Sequence, residues 1–158
     1  MTELVAQGVG KSVLSILEAQ GLPLRKNLDI DVPKFPVDIT AVDDQELMVL
    51  ATKYMENYNF IRTQVALAAL AEMEAENIYT IAEAKAMLSK SNGKSTEKAT
   101  MLKSAVITDP EIESLNMAKM HTYAYRKMLE TMQDNLERYY NLTSRELTRR
   151  TSANRNRF

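Results

Sequence analysis

Residues 51–70, ATKYMENYNFIRTQVALAAL, decide the fold class. Ala51, Tyr54, Tyr58, Ile61, Val65 and Ala68 recur there at alternating steps of three and four, which gathers them on one side of an α-helix. That alternation is the heptad pattern of a helix seam. Phe60, Leu67 and Leu70 widen the apolar side, so this helix is expected to bury itself against more than one neighbour. Upstream, Asp43 followed three residues later by Glu46 is a capping pattern, placing the start between Thr40 and Asp43. Downstream, Thr80 and Glu83 repeat that pattern, so the helix either breaks near Asn77 and restarts or runs on as one rod.

A second stripe matches the first. Leu115, Ala118, Thr122, Tyr125, Leu129, Met132, Leu136 and Tyr139 alternate the same steps, with Ile112 ahead of them. Thr108-Asp109-Pro110-Glu111 marks its beginning, with a capping side chain, proline in the first turn, and acids where the helix dipole favours them. Between the stripes, residues 89–95 lack apolar side chains and contain Asn92-Gly93, which reads as a loop, and a short helix follows over 96–106. Past Asn141 the apolar stripe loses phase, and residues 151–158 read as a basic tail.

The N-terminal part differs. Residues 2–20 read as an amphipathic helix ended by Gly21, and residues 22–40 as an extended arm with Pro23, Pro33 and Pro36. Such an arm can lie along its own helices, reach a neighbouring subunit, or act as a plain linker. The expected fold is therefore all-α, a long antiparallel helical hairpin with coiled-coil-like helices, an N-terminal helix and a proline-containing arm. Its parts are 1–40, a helical core over 41–150, and the tail 151–158. Two rods of about 35 to 45 residues, roughly 50 to 65 Å long, cannot enclose a compact core alone, so self-association is expected.

Composition narrows the chemistry. The chain has 158 residues, 45% of them hydrophobic, with 10 Met against 3 Phe and no Trp, a set suited to adaptable helix packing. No cysteine means no disulfide framework, thiolate metal site or cysteine nucleophile. Gly8-Val9-Gly10-Lys11-Ser12 and Asn92-Gly93-Lys94-Ser95-Thr96 resemble the end of a phosphate loop. Both fail on spacing, because Val5 and Leu88 stand where the first glycine is required. His121 is the only histidine, and Ala118 stands where a di-iron bundle needs a glutamate, so no metal or cofactor is expected. Carboxylates one turn apart, Glu72 with Glu76 and Glu130 with Asp134, read as solvated helix faces. No enzyme is expected. Nor is a membrane span, because the N-terminal apolar residues are interrupted by Gly8, Gly10, Lys11 and Ser12; the expectation is a soluble, cytoplasmic-type protein.

Binding remains. Lys90, Lys94, Lys98 and Lys103 stand against Glu97 alone in the connector, and Arg138, Arg145, Arg149 and Arg150 crowd the end of the second long helix. Repeated around an oligomer, these would form a basic track for nucleic-acid phosphates; the alternatives are solvated polar ends or pairing with acidic surfaces of neighbouring subunits. Tyr139 and Tyr140 beside the arginines can stack on unpaired bases, or Tyr139 can simply complete its stripe.

The order of these parts over residues 54–150 resembles the small helical recombination mediators of tailed phages, the UvsY-like family. The resemblance rests on a long helix ending in Lys90-Ser91-Asn92-Gly93-Lys94-Ser95, the segment Thr96-Glu97-Lys98-Ala99-Thr100-Met101-Leu102-Lys103, the Asp109 start, and a second long helix with an arginine-bearing end. It implies an oligomeric ring in the host cytoplasm that binds single-stranded DNA, helps displace the single-strand-binding protein and loads a recombinase. Lys90, Lys94, Lys98 and Lys103 would then match the family's DNA-contacting region. A second expectation belongs to another class, a virion structural or assembly protein whose seams, arm and tail contact other virion proteins.

Overall fold

The computed structural model describes residues 9–22, 31–90 and 99–155. Four α-helices follow one another, α1 (Val9–Ala19), α2 (Asp44–Lys90), α3 (Ala99–Ile107) and α4 (Pro110–Arg155), and no strand occurs among the described residues. The fold is all-α, and α2 packs against α4. Residues 2–8 of the expected first helix, 23–30 of the arm, 91–98 of the connector and 156–158 of the tail lie outside the described residues.

Each boundary has a local cause. α1 stops at Gly21, the one described glycine with positive φ (74°), where the Gly21 N–H donates to the Glu18 carbonyl (3.0 Å) and Leu22 N–H to that of Leu17 (2.9 Å). This is the paired closure that satisfies the last carbonyls of a helix. α2 starts where Asp43 accepts the Glu46 N–H on its carboxylate at 2.7 Å. It then runs unbroken for 47 residues. At the suspected break the Thr80 hydroxyl donates to the Glu76 carbonyl at 2.8 Å, so Thr80 works inside the helix instead of capping a new one. α4 starts at Asp109, which accepts the Glu111 N–H at 3.2 Å ahead of Pro110.

The contacts form two compact units that share the long helices: Met1–Leu22 with Ala66–Lys127, and Pro23–Val65 with Met128–Phe158. The first unit holds α1, α3, the second half of α2 and the first half of α4. There Ala68, Val106, Ile112 and Thr122 are buried. In the second unit Leu47, Leu50, Tyr54, Asn57 and Ile61 of α2 meet Leu129, Leu136, Thr143 and Glu146 of α4 as the buried set. Each large apolar side chain fully buried this way contributes about 1.5–3 kcal/mol. The arm joins that core. Phe35 stacks on Tyr139 at 4.9 Å between centroids and on Tyr54 at 6.3 Å, and the Tyr54 hydroxyl donates to the Lys34 carbonyl at 3.3 Å. Of the placements open to the arm, residues 34–42 take the one along their own helices.

The seam differs in phase from the apolar lettering. Tyr54, Ile61, Leu129 and Leu136 are buried, and Tyr58, Val65 and Leu115 half-buried, but Tyr125 and Met132 expose 40% and 41% of their surface. Buried positions of α4 recur at intervals of seven, at Thr122, Leu129, Leu136 and Thr143, with Arg126 and Gln133 half-buried between them. Their methylene stems cover apolar surface while their polar ends find partners or water. Nor does the stripe end at Asn141. It continues in polar residues, Thr143, Glu146 and Arg150, and α4 stays helical through residues 151–155 of the expected tail. On α2, the buried Asn57 donates to the Lys53 carbonyl at 2.9 Å, and its carbonyl oxygen has no partner. A polar residue in a seam costs stability and fixes register.

Candidate nucleic-acid interface

The described ones among the eight basic residues singled out by the sequence fall into the two units. In the first unit, Lys90 ends α2 and is internally engaged. Its ammonium donates to the Ala105 carbonyl at 2.8 Å and to the Asp109 carboxylate at 2.9 Å. The Lys90 bond, and then the Glu111 N–H, hold the Asp109 carboxyl below its ordinary value. Asp109 thus caps α4 and clamps the end of α2 to it. Lys103 on α3 is exposed; Lys94 and Lys98 lie outside the described residues.

In the second unit, Arg138 and Arg145 are exposed on α4, where they line a shallow cleft with Asp134, Glu137, Asn141 and Leu142. Arg149 grips Glu146 with two hydrogen bonds, of 2.8 and 2.7 Å, yet its side chain stays 62% exposed. Arg150 is the opposite case. Its guanidinium donates to the carbonyls of Val42 (2.7 Å), Thr40 (2.9 Å) and Ile39 (3.3 Å), to the Asp44 carboxylate (2.8 Å) and to Glu146 (2.8 Å). The planar fork suits this many acceptors. Asp44 first, and then Glu146, raise the Arg150 pKa. Bonds from Arg149 and then Arg150 bring the buried Glu146 carboxyl down to about 2.

Tyr139 and Tyr140 are half-buried. Phe35 lies across Tyr139, and burial raises the hydroxyl pKa of the neighbouring Tyr54, with Tyr139 adding to the shift. Of the eight basic residues, Lys103, Arg138, Arg145 and Arg149 therefore point outward among those described, while Lys90 and Arg150 hold the fold together.

Sequence reasoning missed Glu146 and the carboxylates of α2. In the first unit Glu72 pairs with Arg126 and Glu76 with Lys119 (3.5 Å), so both tie α2 to α4. Between them Glu74 accepts the N–H groups of Val9 and Gly10 at the start of α1. Glu146 was detectable from its spacing of three and four to Arg149 and Arg150. The backbone acceptors around Arg150 carry no sequence signal.

Apolar side chains also face outward: Met48, Ile78, Ile81 and Leu88 on α2 and Met117, Met120, Met128 and Leu142 on α4 are each at least 42% exposed. No helix among the described residues is long and apolar enough to cross a membrane. No protein family, curated protein or solved structure matches the chain.

Proposed function

We propose that this chain is a non-enzymatic, oligomeric accessory protein that holds single-stranded DNA by its phosphates, a mediator that loads a recombinase where a single-strand-binding protein sat. The observation that carries the reading is the Lys90–Asp109 pair. The acid that begins α4 is neutralised internally, and the connector sequence ahead of it carries Lys94, Lys98 and Lys103 against Glu97. A helical pair that repeats this connector around an oligomer makes a track that grips backbone without reading sequence.

Fluorescence titration with oligo-dT between about 50 and 200 mM salt tests it. Binding should weaken steeply with salt, and replacing Lys94, Lys98 and Lys103 together by alanine should lower the log–log slope by about 2. Undetectable binding at low salt removes the reading.

The outward apolar side chains of α2 and α4 favour a second reading, a virion structural or assembly protein that uses them for protein contacts. It expects large DNA-free assemblies in ultracentrifugation and no affinity for oligo-dT.

A further inference from the structure

The cleft on α4 in the second unit is lined by Asp134, Glu137, Arg138, Asn141, Leu142 and Arg145, every one of them exposed. Asp134, Arg138, Asn141 and Arg145 recur at steps of four and three and lie roughly 140–200° around the helix from the buried Leu136, with Glu137 and Leu142 flanking them, so they form one stripe facing away from the seam. The stripe is electrically polar along its length. Both acids come first and both arginines after. No ion pair among the described residues engages Asp134, Glu137, Arg138 or Arg145, although Asp134 and Arg138 are four apart and could reach each other.

We propose that this stripe is where a second copy of the chain docks, α4 against α4 and antiparallel, a proposal that rests on the oligomeric part of the function given above. A parallel neighbour would set acid against acid. An antiparallel one sets Asp134 against Arg145, and the same register brings Arg138 opposite the Asn141 carboxamide. Two-fold symmetry repeats each contact, as an isologous interface requires. Leu142, 42% exposed, meets the methylenes of Glu137 in that register and supplies the apolar part of the contact. The interface is mostly charge, so its affinity is modest and falls with salt. Arg138 and Arg145 thereby leave the group assigned to phosphate and become pairing residues.

Sedimentation equilibrium of the full chain at low salt, without DNA, tests the proposal on four samples besides the wild type. Asp134→Arg alone and Arg145→Asp alone should each raise the dissociation constant about tenfold or more, because each replaces two attractive contacts by two repulsive ones. The double variant should return to within about threefold of wild type, and an equimolar mixture of the two single variants should form a heterodimer. Circular dichroism checks that helicity is kept; should one single variant lose it, the other single and the double still decide. A monomeric wild type, singles that associate normally, or a double and a mixture no better than the singles would each overturn the proposal. Oligo-dT binding is read separately: its absence with charge-swap rescue intact removes the DNA reading alone, and its presence in a monomeric wild type removes this proposal and the oligomeric part of the function while leaving the DNA reading in place.

Discussion

Arg150 shows how much one side chain can hold. Its five bonds join the last part of α4 to the turn that precedes α2 and to Glu146, and no aliphatic side chain could replace that set. Arg150→Ala is expected to lower the thermal midpoint by about 5–10 °C, and Arg150→Lys to recover only part, since one ammonium cannot span a carboxylate and several carbonyls. Calorimetry on the three proteins checks both. Glu146 adds a pH dependence of known sign. Its carboxyl is at about 2 in the folded protein against an ordinary 4.5, so its pairing stabilises fully above the ordinary value. That stabilisation is lost as pH falls from 4.5 toward 2. The thermal midpoint should therefore fall across this window, and Glu146→Gln should fall less steeply, as a series of melts in that range will show.

Among the elements, α1 depends most on its ends. A β-carbon at Gly21 would meet nothing within 4 Å, yet its φ of 74° strains any side-chain-bearing residue. Gly21→Ala should cost about 1 kcal/mol in urea unfolding, through conformation and not through a clash. Gly21 shows what is legible from sequence: single residues with local consequences. Asp43, Asp109 and Gly21 all act where the sequence puts them, since a cap or a stop involves only the next few residues. Helix phase is different. Tyr125 and Met132 read as seam because they are apolar, while nothing in the apolar spacing marks the polar Arg126, Gln133, Thr143 and Glu146. Which side of α4 is buried depends on partners on α2 and on the arm, above all the acceptors gathered around Arg150. The same holds for the candidate site. That Lys90 and Arg150 belong to the fold follows only from where Asp109, Ala105, the turn before α2 and Asp44 at its start arrive.

At the scale of the whole molecule, the buried apolar side chains are unevenly divided. Among the described residues the second unit contains Leu47, Leu50, Tyr54, Ile61, Leu129 and Leu136, whereas the first relies on Ala68, Val106 and Ile112 and on ion pairs between α2 and α4. Surface and half-buried pairs hold less firmly than buried area. Native-state hydrogen exchange should therefore find the amides of α1 and α3 opening well before those of α2 between Leu47 and Val65; equal protection would contradict this division. The Glu74 carboxylate at the head of α1 carries a consequence for how the chain is made. Eleven residues are too few for a helix to persist alone, and the carboxylate that receives the first N–H groups of α1 lies 65 positions further on. During synthesis the segment leaves the ribosome well ahead of α2 and is without its Glu74 contact until that residue emerges. The first described helix to be translated thus gains this contact only after Glu74 has been made, and a nascent chain stalled before Glu74 presents Val9–Ala19 without that partner at the tunnel exit.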